Sequence, residues 1–525
     1  MSTGVIAEPR GSRLDAWYAA KPTVRKVWHW AGPGAVLLTA AVTRLWYLGH
    51  PDALVFDETY YVKDAYTLMN LGYEARWPEG ANDSFNAGNP DIYTTDPSFV
   101  VHPPLGKWII AAGLAVFGAE NPVGWRIATA VVGILAVALL MLIAFFLFRS
   151  TLLASIAGGL MAIDGNAIVM SRVALLDNSL MFFALLGFGA ILLDRGWTER
   201  RLRLWLAMQA DAGGPTDWGP ALWWRPWLLA AGLMLGLAAS VKWSGLYFLA
   251  FFAVYTLVVD ALDRRRLGIP FWLSGTVLKQ GPVSFLLAVP IAVVAYLITW
   301  TGWFASDGGY YRHWVEDGSL AWTGGLAWVP AEWQNFWHYQ VSVYNYHVGE
   351  NRPHSYQANP LGWLLMLRPT SMFYRGSSLG ENDCTASQCG EAIAGIANPI
   401  IWWAATAAVL YLIYRLARYR EWRVGAILVG VAAGYLPWLL YLDRTVFQFY
   451  TIAFEPYLLL ALTAVIGIIL GKPSDPRWRR EGGIRVVAVY LLFAIGVSVF
   501  FWPLWTGMQV SWEFIQLHYW VPSWR

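Results

Sequence analysis

Long apolar runs recur along almost the whole of this chain, and they limit its fold more than any other feature. Residues 131–148, 234–259, 283–300 and 458–470 are among them, divided by short basic or aromatic stretches. A helix of about 20 apolar residues crosses the hydrocarbon layer of a bilayer. It also satisfies its own backbone, for which hydrocarbon offers no partners. Composition agrees, because 57% of the 525 residues are hydrophobic and 14% charged, whereas a soluble chain carries about a quarter charged residues. The 33 tryptophans imply many water–lipid boundaries, since the indole ring settles at headgroup level.

Counting runs predicts about eleven spans, at residues 31–48, 127–148, 152–170, 173–193, 226–241, 246–261, 283–301, 399–416, 424–442, 446–470 and 486–504. The basic clusters at 195–203, 264–266, 415–423 and 477–485 then all fall in loops of one parity, as the positive-inside rule demands of a cytoplasmic side. Residues 1–30 read as a retained cytoplasmic tail, followed by one polytopic catalytic domain over 31–525 with its C-terminus outside. Two long loops, 50–126 and 302–398, lie on the outer side, and the first contains two stretches that read as surface helices, 58–71 and 104–117. The polar stretch 194–225 reads as a cytoplasmic linker with an amphipathic start. Cys384 and Cys389 stand close together in the second outer loop, where an oxidising compartment would favour a small disulfide loop over two free thiols. A net charge of +3, with the basic residues placed beside apolar runs, gives no case for a nucleic-acid partner.

The polar residues of interest gather on the outer side. Asp57 and Glu58 directly follow the first span, where partial desolvation can raise a carboxylate toward a useful general base. The competing reading makes Asp57 the N-cap of a surface helix and Glu58 a complement to its dipole. His102-Pro103-Pro104-Leu105-Gly106-Lys107 offers a fixed helix start that could meet an anion, or a simple turn. Arg172 and Asp177 open a later span, and an arginine beside lipid needs a partner or an anionic ligand unless it snorkels to the surface. Lys242 and Arg444 each sit in a short outer turn, so Arg172, Lys242 and Arg444 could converge on a lipid phosphate or serve as separate headgroup contacts. His338, His347 and His354, interleaved with tyrosines, could line a carbohydrate or peptide cleft. Their spacing matches no zinc site, and no metal is expected.

In order and in placement, Phe56-Asp57-Glu58, His102-Pro103-Pro104-Leu105-Gly106-Lys107, Arg172 with Leu175-Leu176-Asp177, and Lys242-Trp243-Ser244-Gly245 resemble the protein O-mannosyltransferases, multi-span enzymes of the glycosyltransferase C fold. The second outer loop is too short for the β-trefoil domain of eukaryotic members, so the chain is most similar to the bacterial, actinobacterial form. The resemblance implies inverting transfer of mannose from polyprenyl phosphate mannose to Ser or Thr hydroxyls of exported polypeptides, at the outer face of the cell membrane. It implies Asp57 as base, Glu58 as its support, Arg172 as the holder of the donor phosphate, and His102, Lys107 and Lys242 as helpers. Asp177 takes a supporting role. No cofactor is implied, the lipid-linked sugar being substrate, and a contact with the protein export channel is left open. The rival readings are a transferase acting on a glycolipid or glycan and, from another class, a polytopic transporter. A transporter carries internal repeats and mid-membrane charge, whereas no repeat is evident here and the charges gather at one face.

Overall fold

The structure is a computed structural model that describes residues 11–525. Among the described residues, seven helices are long and apolar enough to cross a membrane: Pro122–Phe148, Asp177–Ala212, Gly245–Arg266, Trp272–Thr299, Pro399–Tyr419, Trp422–Leu440 and Arg477–Thr506. The pair Thr151–Ile163 and Gly165–Arg172, bent by 61° between them, is apolar enough for an eighth when taken together. Helices also form at the other three expected places, and each falls short of a full apolar span. Pro22–Leu45 carries Arg25, Lys26 and His29 in its first turns, while Pro226–Val241 and Glu455–Leu470 have 16 residues each.

The expected tail is helical where it is described. Arg13–Ala20 precedes Pro22–Leu45, and Asp15 pairs with Arg480 at 3.0 Å; residues 1–10 lie outside the described residues. The linker reading of 194–225 is corrected, because Asp177–Ala212 continues as one helix of 36 residues through its first half. Asp194 at its centre is buried and, with Asp260, grips Arg225, which is itself fully buried. Three of the basic clusters meet at this end of the bundle, where Arg195 stacks on Trp422 and Arg266 reaches Glu199 at 3.0 Å.

The opposite end carries the two long loops and is called the loop face below. The first loop holds the two surface helices as expected, Glu58–Leu71 and Leu105–Phe117. The second holds the helix Ala331–Gly349 and then a hairpin, Ser371–Ser378 against Gln388–Ala394, extended by the two-residue strand Val510–Ser511. Among the described residues this small sheet, with an isolated bridge between Ala75 and Pro97, departs from an all-helical reading. Cys384 and Cys389 are joined in a disulfide that closes the hairpin tip.

Two arginines lock the first and third helices of the bundle together. Arg44, near the end of Pro22–Leu45, donates to the last carbonyls of Thr151–Ile163, at 3.0 Å to Met161 and 3.3 Å to Ala162. Arg172, ending Gly165–Arg172, donates in return to the carbonyls of Arg44, Trp46 and Tyr47, at 3.3, 2.6 and 3.1 Å. Terminal carbonyls have no partner within their own helix, and a buried guanidinium supplies both the hydrogen bonds and the charge that complements the dipole.

Candidate active site

Asp57 and Glu58 are adjacent in sequence and placed oppositely by the fold. Glu58 is 0% exposed. Its two oxygens accept from Arg126 at 2.8 and 2.9 Å, from the Val55 amide at 3.0 Å and from the Ala174 amide at 2.8 Å. Arg126 in turn donates to the carbonyls of Leu48, Pro51 and Ala53. One carboxylate thus ties the loop after the first helix to Pro122–Phe148 and to the segment that leads into Asp177.

Asp57 stands at the N-cap of Glu58–Leu71, yet its side chain makes no capping bond. That function of the sequence-level alternative is absent, and the carboxylate is left available. Phe56 before it adopts φ 48°, an uncommon conformation for an aromatic residue, with its ring edge-on to Phe447 and Phe449 at 5.8 and 5.7 Å. Strain of this kind persists only where the surroundings over-determine it. Burial raises the Asp57 carboxyl to about 6, against the pull of Lys242; Asp177 adds to the rise, and the Tyr61 hydroxyl opposes it.

Beside it lies a cavity of about 310 Å³ lined by His102, Asp177, Lys242, His347, Arg444 and Tyr450, among others. Lys242 follows the helix Pro226–Val241 and is held by Asp177 at 2.8 Å, with its ammonium 4.6 Å from the Tyr450 ring centre. His347 Nε2 lies 2.9 Å from the Val101 carbonyl and its Nδ1 lies 3.0 Å from an Arg444 nitrogen. Both contacts are satisfied by the neutral tautomer with its proton on Nε2, which donates to Val101 and accepts from Arg444. Burial and Arg444 accordingly lower His347 to about 4. His102 stacks on His347 with ring centres 5.4 Å apart, and its buried Nδ1 has no partner. Burial, then Lys242, hold it well below the usual imidazole range.

An apolar cavity of about 540 Å³ adjoins this pocket and shares Trp243, Leu246 and Tyr344 with it. It runs between Pro226–Val241, Gly245–Arg266 and Trp272–Thr299, so the pocket that holds the charged side chains borders an apolar groove between spanning helices.

The fold therefore brings together Asp57, His102, Asp177, Lys242 and Arg444 from the sequence candidates. It does not bring in Arg172, whose guanidinium is spent on backbone carbonyls, and the expected convergence of three cations reduces to Lys242 and Arg444. Lys107 is buried in an ion pair with Glu74. Glu58 is placed as a structural tie. Of the loop histidines, His347 joins the pocket, His338 stacks on Trp314 at 3.6 Å and His354 packs by Phe56. Sequence reasoning missed Arg126, Tyr61 and Tyr450. Only Tyr61 had a signal, four residues after Asp57 on one helix face.

A helical membrane bundle with a carboxylate, two cations and an apolar groove at one end has the architecture of a polytopic membrane glycosyltransferase. Its fold is similar to that of the Saccharomyces cerevisiae protein O-mannosyltransferase Pmt1–Pmt2 complex bound to the sugar donor, with TM-score 0.68 and 15% identity, over 98% of this chain and 95% of that one. Residues 34–210 match the family described as dolichyl-phosphate-mannose-protein mannosyltransferase, and residues 332–524 match the C-terminal four TMM region of protein-O-mannosyltransferase. A polyprenol-phosphate-mannose–protein mannosyltransferase of Mycobacterium tuberculosis is 35% identical over 94% of this chain and 92% of its own length. The Corynebacterium glutamicum protein of the same name is 31% identical over 90% and 88%. The chain belongs to the protein O-mannosyltransferase family.

Proposed function

We propose that the chain transfers mannose from a polyprenyl phosphate to Ser or Thr hydroxyls of polypeptides, on the extracytoplasmic side of the cell membrane, and that the loop face is that side. The observation that carries the reading is the uncapped Asp57 carboxylate, raised to about 6, beside a pocket that holds Lys242 and Arg444 and borders an apolar groove. The groove suits an isoprenoid chain and the cations suit its phosphate. Asp57 takes the proton of the acceptor hydroxyl as that oxygen bonds the anomeric carbon. The bond from that carbon to the phosphate oxygen breaks, and the phosphate leaves with the electron pair, its charge met by Lys242 and Arg444. Base and leaving group on opposite sides of the carbon give inversion. In this reading no resident cofactor takes part, and Asp177 and His347 position the two cations.

The test is transfer of radiolabelled mannose from polyprenyl phosphate mannose to a Thr-rich peptide, by purified protein in lipid vesicles. Parent activity with a loss of roughly a hundredfold or more in Asp57→Asn, the scale of general-base catalysis, is expected. Label in glycolipid with none in peptide would replace the acceptor, and no transfer at all would overturn the reading.

A further inference from the structure

The helix Ala331–Gly349 presents two faces of different character. Gln334, Asn335, Phe336, Tyr339 and Val343 are buried, with Phe336 and Tyr339 packed on Trp300 and Trp303. On another side Trp333, Trp337, Val341, Tyr344 and Val348 are exposed, Trp337 by 60%. Their spacing of four, four, three and four residues puts them in one stripe along the helix. Trp328, just before the helix, is 78% exposed. A continuous aromatic and aliphatic stripe of this size is a partner surface rather than ordinary surface scatter.

Its position identifies the partner. Trp337, Val341 and Tyr344 form one wall of the apolar groove, whose other wall is Ala292, Val293 and Tyr296 in the outer turns of a spanning helix. Gln340 accepts from the Tyr296 hydroxyl at 2.7 Å, which fixes the helix at that level. The stripe is thus continuous with the exposed apolar flank of that spanning helix, where Val293 and Val294 are uncovered, and tryptophan favours the boundary between lipid and water. Asn345, on the neighbouring flank, is exposed and polar.

We infer that Ala331–Gly349 is a membrane-seated helix, with its Trp333-to-Val348 stripe sunk into the acyl chains of the leaflet that adjoins the loop face. Such a helix lies in the interface with its apolar side among the upper acyl carbons. The groove then opens sideways into that leaflet, and the same helix carries His347 into the pocket.

The two cysteines of the chain are joined in a disulfide, so a new cysteine is a unique labelling site. Nitroxide labels on Trp337→Cys and Asn345→Cys, in the full chain in phosphatidylcholine vesicles, are compared for relaxation by oxygen, which concentrates in lipid, and by a water-soluble nickel chelate. The expected result is an oxygen-to-nickel ratio several-fold higher at position 337 than at 345. Equal ratios dominated by nickel would place the stripe in water, and poor access of both reagents to position 337 would place it against protein; either overturns the inference. The readout does not use activity, so it stands apart from the test of the transfer reaction.

Discussion

At the residue scale the raised carboxyl of Asp57 becomes a pH dependence. A base acts deprotonated, so transfer should rise through about pH 6 and level off above it. Burial pushes the Asp64 carboxyl up to about 7, against the pull of Lys107. A pH–rate profile of Asp64→Asn that keeps the limb near 6 would leave Asp57 as its source. Folding is linked with the opposite sign from a salt-bridged aspartate. The folded group holds its proton up to about 6 and the unfolded one only to 3.8, so stability falls as pH rises between those values. Asp57→Asn should therefore raise the melting temperature at neutral pH while cutting transfer roughly a hundredfold or more. Glu58→Gln should do the reverse to the fold, since it leaves Arg126 buried and underpaired, at a cost of about 3–5 kcal/mol, read as a lowered melting temperature. The sequence marks the two carboxylates as a pair and cannot divide their labour. What divides them is distant in the chain, in Arg126 and the Ala174 amide.

At the scale of elements, most of the bundle is legible in hydropathy, because each helix buries its backbone polarity alone and its length follows from the apolar run. Both surface helices of the first loop are legible for the same reason. The break in the third crossing had its signal in Asp164-Gly165-Asn166, where Asp164 caps the second half by accepting from the Asn166 amide at 2.9 Å. The apolar run on either side hid it. The reciprocal grip of Arg44 and Arg172 was not legible, since a cation near a membrane surface reads equally as anchor, ligand or cap. Arg172→Leu should lower thermal stability by about 1–3 kcal/mol, the cost of orphaned buried carbonyls. It should leave the KM for the lipid donor unchanged, whereas Lys242→Met should raise it. A donor KM moved equally by Arg172→Leu would return that residue to the phosphate.

At the scale of the whole molecule, the two 16-residue helices Pro226–Val241 and Glu455–Leu470 both end at the site, one in Lys242 and the other behind Tyr450. Each is about 24 Å long at ~1.5 Å per residue, against a hydrocarbon layer of about 30 Å. The bilayer meets such a mismatch by thinning around the protein. Transfer in vesicles of graded acyl length should accordingly be fastest in the shorter lipids and decline as the chains lengthen; a flat series would count against it. In the proposed reaction such thinning would bring the water boundary toward the pocket, and a lipid phosphate would meet Lys242 and Arg444 without leaving its own leaflet. Catalytic output then becomes a function of the host membrane, and a change in acyl-chain composition during growth or stress would retune glycosylation with no change in the amount of enzyme.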